Sequence, residues 1–555
     1  MPVGTPAAWL EAADAEEVHL TFPASVHGSL QDVLFPDEGH PFHGMGERGA
    51  FCVINKSTGT RRVSYLVEEV VIPESEDDLR NPAATSSGSF SGLLSSFFGT
   101  DSHPEVSTED YTPGYEFSED YHERAVERAR DLSGGLLRIH THPAGVQPSG
   151  VDKESAARIY RNDRDRLPVG APFGAAITNK KGNWSARVYE PGDGSPTVTS
   201  TSRIRIVGPT HGGQPFEKYP TGDADSNRNL ANIRTSEQDS TIQLWDEDGQ
   251  RLLADLRVGL VGCGGVGSIL AEHLARLGVG HLVLVDFDRL EEANFNRAQG
   301  ATRIDVRQNR LKTEVAERVA HEAATADGFD TTAVDGSVVD DDPEYAGVPE
   351  LLDCDLILAG VDAARPRKVL DHLARAHCIP VIDGGSKLHV ADNGMLEPEA
   401  KAETAVSGPG WPCFECQRVW TPEDVEYERD NPAFRGERGY VEGGVDPDEE
   451  DRSPSVIGVN ALVAGLMQRR FMGLTLGVAM GVVGTLRVSL RNVETDWSSR
   501  GGCEADCDPP PVAAGNRHEL STGTGWSMRY ERQDIPMPEI QVADDATELI
   551  DDDLI

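Results

Sequence analysis

Two histidines and an aspartate stand close together in the run HTHPAGVQPSGVD, from His140 to Asp152. The preceding residues, GLLRI, have the apolar and β-branched content of a strand, so His140 and His142 should point to one face of it. Two imidazoles and one carboxylate can hold zinc and leave its fourth position to water. Bound zinc lowers the pKa of that water and polarises a carbonyl group, so the run predicts a zinc hydrolase site.

A second run, GCGGVGS, follows the apolar segment RVGLV and precedes the amphipathic segment SILAEHLARLG. Gly262, Gly264 and Gly267 satisfy the spacing GxGxxG, with Gly265 inside it, and Asp286 ends the next apolar segment. Glycines let phosphate oxygens approach the backbone N–H groups at a helix N-terminus. Taken alone, this pattern favours a dinucleotide-binding enzyme, such as a nicotinamide dehydrogenase.

Four of the eight cysteines form two close pairs, in WPCFEC and GGCEADC. The pairs are Cys413 with Cys416 and Cys503 with Cys507. Close thiol pairs separated by a long insertion predict a closed, four-thiolate structural zinc site. The alternative is four ordinary buried thiols.

The charge balance excludes one class of partner. Lysine and arginine total 51 against 93 aspartates and glutamates, a formal net charge of -42. A nucleic-acid binder needs a basic face to displace counterions, so nucleic acid is excluded as a partner. Acid excess with few lysines is typical of a halophile-like surface, whose self-repulsion is screened at high salt. A functional acidic surface is the alternative.

No segment predicts export or membrane insertion. The first residues have neither a basic start nor an apolar core, so we expect no signal peptide. The longest apolar stretch, from Phe471 to Leu486, is rich in glycine and shorter than a membrane span. We expect a soluble, cytoplasmic protein.

Composition divides the chain into four parts. Residues 1–195 mix short strands with helices such as EDYHERAVERARDL, and residues 74–112 among them form an insertion. Residues 196–237 are polar and predict a linker. Alternating apolar and amphipathic segments over 238–510 predict an α/β domain with a doubly wound parallel sheet. Residues 511–555 predict an acidic tail that is disordered or lightly docked.

The pattern HxHP, then PSxxD and a helix, resembles the JAB1/MPN/Mov34 (JAMM) metalloprotease family over residues 17–195. The resemblance implies a cytidine-deaminase-like α/β domain that removes ubiquitin-like proteins from their conjugates. It also implies a glutamate base before the first core strand, which is Glu47 in GERGAFCVI. Glu68 and Glu69 are disfavoured because they lie inside the next strand.

In this resemblance Ser149 hydrogen-bonds the developing oxyanion. Six residues separate His142 from Ser149, where the family commonly has seven. A degenerate domain that only binds the modifier is the alternative to an active hydrolase.

The runs VDFDRLEEANFNRAQ, NRLKTEV and LILAGVDAARPR resemble the ThiF/MoeB/ubiquitin-activating family over residues 238–510. That family binds ATP and adenylates the C-terminal glycine of a ubiquitin-fold protein. The resemblance implies an ATP site with ribose at Asp286, phosphates at Asn294, Arg297 and Lys312, and magnesium at Asp362. It also implies that Gln299 binds ATP. It disfavours the dehydrogenase, and it places the family's zinc knuckle at the four paired cysteines.

Two departures from that family are Ala298, where it usually reads NRQ, and Ala363, where asparagine often follows the magnesium ligand. The segment from Trp420 to Pro454, where a crossover loop would carry the thioester cysteine, has no cysteine. The resemblance therefore implies an adenylate that passes to a separate sulfur donor, amine or carrier protein. It also implies a homodimer, by analogy.

The leading hypothesis joins both activities on one substrate, a small ubiquitin-like protein with a C-terminal glycine. A zinc-dependent (iso)peptidase would process its precursor or conjugates, and the second domain would adenylate it. The alternatives are adenylation of a small peptide or metabolite carboxylate, and a domain that serves only as a docking module for the modifier.

Overall fold

The computed structural model describes two units, each built on one β-sheet. The described ranges are 14–36, 47–75, 78–80, 116–143, 145–190, 196–209, 216–222, 233–340, 346–388, 400–430, 455–477, 484–490, 495–498, 503, 507 and 510–518. Most of the predicted insertion over 74–112 and of the tail over 511–555 lies outside these ranges.

The first unit contains β1 (Glu17–Pro23), α1 (Ala24–Leu34), β2 (Gly49–Thr58), β3 (Arg62–Val71), β4 (Leu79–Arg80), β5 (Glu116–Phe117), α2 (Glu119–Asp131), β6 (Gly135–Thr141), α3 (Gly150–Asp163), β7 (Phe173–Thr178), β8 (Trp184–Glu190), β9 (Thr197–Ser200), β10 (Arg203–Val207) and β11 (Phe216–Pro220). Its described strands form a mixed sheet in the order β11–β10–β1–β3–β2–β6–β7–β8–β9, and β4 pairs with β5 alone. Helix α1 covers one face, and α2 and α3 cover the other. The predicted helix EDYHERAVERARDL is confirmed as α2, with Ala125, Val126 and Ala129 buried.

The expectation of a linker over 196–237 is wrong for residues 196–209 and 216–222. They form β9 to β11, and β10 runs parallel to β1 inside the first sheet. Their polar composition misleads because Arg205 and Lys218 are buried, and their charges are compensated by the second unit. Such partners lie far away in the sequence, so composition cannot reveal them.

The second unit contains α4 (Thr235–Asp255), β12 (Arg257–Val261), α5 (Gly267–Leu277), β13 (His281–Val285), α6 (Arg303–Arg307), α7 (Lys312–Ala323), β14 (Asp330–Val334), α8 (Val348–Leu351), β15 (Leu356–Ala359), α9 (Ala364–Ala376), β16 (Val381–Lys387), β17 (Lys401–Ser407), α10 (Pro422–Asp430), α11 (Ile457–Thr475), β18 (Thr485–Ser489) and β19 (Thr495–Ser498). The described strands form a second sheet in the order β14–β13–β12–β15–β16–β17–β18–β19.

The first five strands of the second sheet are parallel, and the remaining three are antiparallel. Helices α5, α7 and α11 pack on one face of this sheet, and α9 packs on the other. The prediction of a Rossmann-like, doubly wound parallel sheet is therefore confirmed. Among the described residues, the helices are too short or too polar to cross a bilayer.

The two units meet at a buried carboxylate, Asp355, directly before β15. Arg62 Nη1 and Lys218 Nζ each lie 2.9 Å from its oxygens, and Arg205 Nε lies 3.5 Å away. Burial opposes ionisation, but Arg62, Lys218 and Arg205 together hold the pKa of Asp355 well below its usual range. Three cations of the first unit therefore converge on one anion of the second.

A second aspartate of the same turn docks the β2–β3 connection. Asp353 accepts hydrogen bonds from the backbone N–H of Arg62 at 2.8 Å and from Thr60 Oγ1 at 2.7 Å. A Cβ on Gly59 would lie 2.1 Å from Asp353 Oδ1. The hairpin end and the second unit are thus fitted to each other at backbone distance.

Replacement of Asp355 by asparagine should remove the carboxylate beside the buried guanidinium of Arg205 and one of the two ion-pair partners of Arg62 and Lys218. Arg62 keeps Glu17, and Lys218 keeps Asp255. Because removing one partner of a buried ion pair costs about 3–5 kcal/mol, we expect the free energy of unfolding in urea to fall by about that amount. The matched control is Glu16→Gln at the more exposed pair with Arg61, which should cost about 1 kcal/mol or less. Equal losses in the two variants would contradict the importance of the Asp355 cluster.

Candidate functional site

The three predicted metal ligands of the first unit converge at the carboxyl end of β6. His140 lies in the strand, His142 directly follows it, and Asp152 lies in the first turn of α3. His140 Nε2 is 3.1 Å from His142 Nε2 and 3.1 Å from Asp152 Oδ1, and His142 Nε2 is 3.6 Å from Asp152 Oδ2. Nitrogen and oxygen ligands of a tetrahedral zinc ion are about 3.3 Å apart, so these atoms fit one ion.

The protonation states of these residues suit a cation. Burial lowers the pKa of His140, which keeps its imidazole in the neutral form that binds metal. Burial raises the pKa of Asp152, but hydrogen bonds from His140 and Ser149 outweigh it and hold the pKa below its usual range. The site therefore offers the neutral imidazole of His140 and the ionised carboxylate of Asp152.

The structure places Ser149 at the N-cap of α3. Its Oγ donates to Asp152 Oδ2 at 2.6 Å, and it accepts a hydrogen bond from Asp152 N at 3.2 Å. The hydroxyl expected to bind an oxyanion is thus directed at a candidate metal ligand. In this arrangement Ser149 orients the carboxylate of Asp152.

Glu47 lies at the start of the strand that pairs with β6. Gly49 pairs with His140, and Thr141 N donates to Arg48 O at 2.8 Å, so the register places Glu47 opposite His142. Glu47 lies just before β2 and His142 just after β6, so both stand at the ends of the paired strands. The role of Glu47 as the base stays a prediction.

The two disfavoured glutamates of β3 are engaged in ion pairs. Glu68 Oε2 lies 2.9 Å from Arg517 Nη2, and Glu69 Oε2 lies 2.6 Å from Arg128 Nη2. Both carboxylates form ion pairs with arginines that lie outside the candidate metal centre. This geometry agrees with the choice of Glu47 over Glu68 and Glu69.

The glycine-rich run of the second unit forms the turn between β12 and α5. Gly262 has a φ of +87°, and a Cβ there would lie 2.8 Å from Gly360 O. A Cβ on Gly267 would lie 1.8 Å from Gly262 O, and one on Gly265 would lie 2.2 Å from Asn460 Nδ2. A Cβ on Gly264 would meet no described atom within 4 Å. The turn therefore has room for a side chain at Gly264 alone among these four glycines.

Asp286 fixes this turn to the end of β13. Its Oδ2 accepts a hydrogen bond from Cys263 N at 2.7 Å, and its Oδ1 accepts one from Asp288 N at 2.8 Å. Burial raises the pKa of Asp286 to about 6. The carboxylate thus lies at the carboxyl edge of the parallel sheet, where open α/β sheets bind ligands.

Lys312, the first residue of α7, points into the same region. Its Nζ lies 2.7 Å from Asp288 Oδ2. Burial would lower the pKa of Lys312, but Asp286, Asp288 and Asp362 together raise it. Lys312 therefore stays charged between the acids that follow β13 and β15.

Arg297 lies beside the glycine-rich turn, since a Cβ on Gly265 would lie 3.6 Å from Arg297 Cδ. Its Nη1 donates to Ala293 O at 2.6 Å. Asp362 follows β15 and is exposed. Two cations and two acids of the predicted nucleotide site thus gather at one edge of the sheet.

Asn294 and Gln299 stabilise the turn that carries Arg297. Asn294 Oδ1 accepts a hydrogen bond from Glu291 N at 3.1 Å. Gln299 donates through its backbone N to Ser268 Oγ at 3.0 Å and through Nε2 to Glu272 Oε2 at 2.7 Å. In this structure both side chains position the turn against its own backbone and α5.

The four paired cysteines meet although 86 residues separate Cys416 from Cys503. Their sulfur atoms all lie within 4.8 Å of one another, and Cys413 Sγ is 3.2 Å from Cys507 Sγ. Sulfur ligands of a tetrahedral zinc ion are about 3.8 Å apart. The four thiols are therefore arranged as a metal site, and none of them forms a disulfide.

Residues 236–491 match the ThiF family. The second unit is therefore a ThiF-family domain, as its sequence resemblance predicts. The matched segment begins at α4 and includes the glycine-rich turn and the first cysteine pair.

Similar proteins align with the same part of the chain. The tRNA threonylcarbamoyladenosine dehydratase of Escherichia coli (strain K12) is 34% identical over 160 residues, 28% of this chain and 54% of that protein. The molybdopterin-synthase adenylyltransferase of the same organism is 28% identical over 172 residues, 31% of this chain and 62% of that protein. The ubiquitin-like modifier-activating enzyme 5 of Drosophila pseudoobscura pseudoobscura is 29% identical over 174 residues, 30% of this chain and 40% of that protein. The chain spans about half the length of these curated relatives.

Sequence reasoning missed residues that hold the predicted ones in place. Asp288 anchors Lys312, and its position two residues after Asp286 was a usable signal. Asn460, in the first turn of α11, lies against Gly265. Asn460 lies nearly 200 residues after the glycine-rich run, so no local sequence pattern connects the two.

We expect the purified protein to carry about two zinc equivalents per chain, one at each candidate centre. His142→Asn should remove one equivalent and Cys413→Ser the other, because each deletes one ligand of a separate site. Inductively coupled plasma mass spectrometry of the two variants and of the double variant measures this. Loss of both equivalents in a single variant would contradict two independent centres.

Proposed function

We propose that the second unit uses ATP to adenylate a carboxylate, and that its substrate is the C-terminal glycine of a small ubiquitin-like protein. The observation that carries the proposal is the gathering of Lys312, Arg297, Asp286 and Asp362 around the glycine-rich turn of a ThiF-family domain. A helix N-terminus and fixed cations are suited to hold phosphates.

In this proposal Asp286 accepts hydrogen bonds from the ribose hydroxyls. Lys312 and Arg297 stabilise the charge that develops on the α-phosphate as the substrate carboxylate attacks it and pyrophosphate leaves. Asp362 offers the oxygen ligand that magnesium prefers. Asn294 and Gln299 have the supporting role of fixing the turn that carries Arg297.

Two of the relatives favour a protein substrate by their names, an adenylyltransferase for molybdopterin synthase and a ubiquitin-like modifier-activating enzyme. The third is named for a modified nucleoside of tRNA, so its name does not favour a protein substrate. We propose the protein substrate because the names of two of the three relatives point to one.

The proposed adenylate passes to an external acceptor. Cys263, Cys354 and Cys378 are buried, and burial raises the pKa of each thiol, that of Cys378 to about 12. None of these thiols presents the exposed thiolate that an acyl transfer needs. A sulfur donor, an amine or a carrier protein would take the acyl group.

We expect Lys312→Ala and Arg297→Ala each to lower ATP–pyrophosphate exchange by on the order of 10²-fold or more, because each removes a cation from the developing charge. The assay uses a small protein ending in Gly-Gly, identified by mass spectrometry of material co-purified from the native host. The matched control is Arg307→Ala on exposed α6 surface, which should exchange normally.

Exchange that proceeds equally well without any protein substrate would contradict the ubiquitin-like partner. It would favour the small-carboxylate alternative. Normal ATP–pyrophosphate exchange by Lys312→Ala would contradict the proposed role of this site in adenylation.

We also propose that the first unit is a metal-dependent (iso)peptidase of JAMM type acting on the same modifier. The observation that favours it is the convergence of His140, His142 and Asp152, and the chain just before β2 carries Glu47 to the end of the strand that pairs with His140. When bound there, zinc supplies an activated water and polarises the scissile carbonyl. Glu47 would take the proton from the attacking water and pass it to the leaving amine.

The two proposed activities serve one substrate. The hydrolase would expose the terminal glycine of a precursor, or release the modifier from conjugates, and the second unit would then activate that glycine. A first unit that only docks the modifier is the alternative.

Glu47→Gln should lower cleavage of a modifier fusion by on the order of 10²-fold or more while zinc content stays unchanged, because the base is lost and the ligands remain. Electrophoresis of the cleavage products and metal analysis of the same sample provide the two readouts. Glu69→Gln, which breaks only the pair with Arg128, is the matched control and should cut normally. Normal cutting by Glu47→Gln would assign the base elsewhere.

A further inference from the structure

Residues 510–518, here called the strap, lie between the two units and contact both. They follow Cys507, the last of the four paired cysteines, by two residues. The strap contains a short 3₁₀ turn at Gly515–Arg517, which packs on β2. The chain that follows the cysteine centre of the second unit thus packs on the sheet of the first unit.

Side-chain amides join the strap to β2. Asn55 Nδ2 donates to Ala513 O at 2.9 Å. Asn516 Oδ1 accepts from Thr58 N at 3.2 Å, and Asn516 Nδ2 donates to Thr58 Oγ1 at 2.9 Å. The pairing is reciprocal, so it sets the register of the strap on the strand.

Charge and backbone approach add to these contacts. Arg517 Nη2 lies 2.9 Å from both carboxylate oxygens of Glu68. Gly515 has a φ of +56°, and a Cβ there would lie 2.3 Å from Lys56 O. The backbone of the strap at Gly515 thus packs directly against the backbone of β2 at Lys56.

The strap is also tied to the second unit. Ala513 N donates to Arg375 O at 3.0 Å, and Ala513 is buried together with Leu66 of the first unit and Cys378 of the second. One alanine therefore fills a small apolar contact to which both units contribute.

Arg375 connects this contact to the cysteine centre. Its carbonyl oxygen accepts the hydrogen bond from Ala513 N. Its Nη1 donates to Cys503 Sγ at 3.8 Å and to Trp411 O at 3.2 Å. Cys503 Sγ also accepts a hydrogen bond from Cys413 N at 3.3 Å. The centre reaches the strap through the chain after Cys507 and through Arg375.

We propose that the metal of the four-cysteine centre orders the strap, and that its loss loosens the contact between the strap and β2–β3 of the first unit. Cys503 and Cys507 follow β19 and must be held against Cys413 and Cys416, so ordering this part of the chain costs conformational entropy. Metal–thiolate bonds offset that cost, and without them the chain entering the strap is released. The Asp355 cluster lies outside this contact and continues to hold the units together.

Amide hydrogen exchange of the full-length, metal-loaded chain tests the proposal against Cys413→Ser, whose metal loss is checked by mass spectrometry. We expect exchange to rise by about tenfold or more in residues 510–518 and at Thr58, whose backbone N–H donates to Asn516, since these amides depend on the ordered strap. The amides of Arg61 and Arg62, which donate to Asp353, should stay protected. Exchange in β6 and β12 should stay unchanged. Zinc returned to chelator-treated wild-type protein should restore protection, which supplies the measurement if Cys413→Ser does not fold.

Two further variants separate the metal from the strap. His142→Asn removes a ligand of the other candidate centre and should leave the strap protected. Arg517→Ala, which removes the pair with Glu68, should keep its full zinc content while exchange rises in the strap and at Thr58. Unchanged protection of the strap after metal loss would overturn the proposal, and so would an equal rise throughout both sheets, which would assign the metal to the whole fold.

Discussion

The arrangement of the two units depends on one buried carboxylate. Asp355 has no solvent exposure and lies within 2.9 Å of both Arg62 and Lys218. An isolated charge in this position would cost several kcal/mol of desolvation, so the anion and its cations are stable only together. Because the cations come from three strands of one sheet and the anion from another sheet, the cluster specifies how the sheets meet. The interface therefore sets the relative placement of everything built on them.

That placement puts the two candidate sites at the outer ends of the molecule. The interface uses the end of β2 at Ser57, which contacts His377, whereas Gly49 at the other end pairs with His140. Eight residues of strand separate these points, about 26 Å. In the second unit, Asp355 marks the amino end of β15, and Asp362 follows its carboxyl end.

Within each site, most of the predicted polar side chains are held by the main chain of a turn. Ser149 caps α3 and orients Asp152, while Asp286 accepts two backbone N–H groups beside the glycine-rich turn. Such hydrogen bonds restrict rotamers and pre-organise charge before any ligand binds.

The sequence by itself determined the chemistry available and the secondary structure that presents it. Residue spacing predicted the HxH pair at the end of β6, the glycine-rich turn before α5, the parallel sheet and the two cysteine pairs. Each of these can be recognised from residues that are close together in the sequence. Only the tertiary structure decided which distant groups meet. The register of β2 on β6 brings Glu47 towards His142. Ion pairs with Asp355 allow a polar stretch to form the buried strands β10 and β11. Packing of α11 places Asn460 against Gly265. These outcomes depend on packing and on charge compensation between residues far apart in the chain, which no local pattern records.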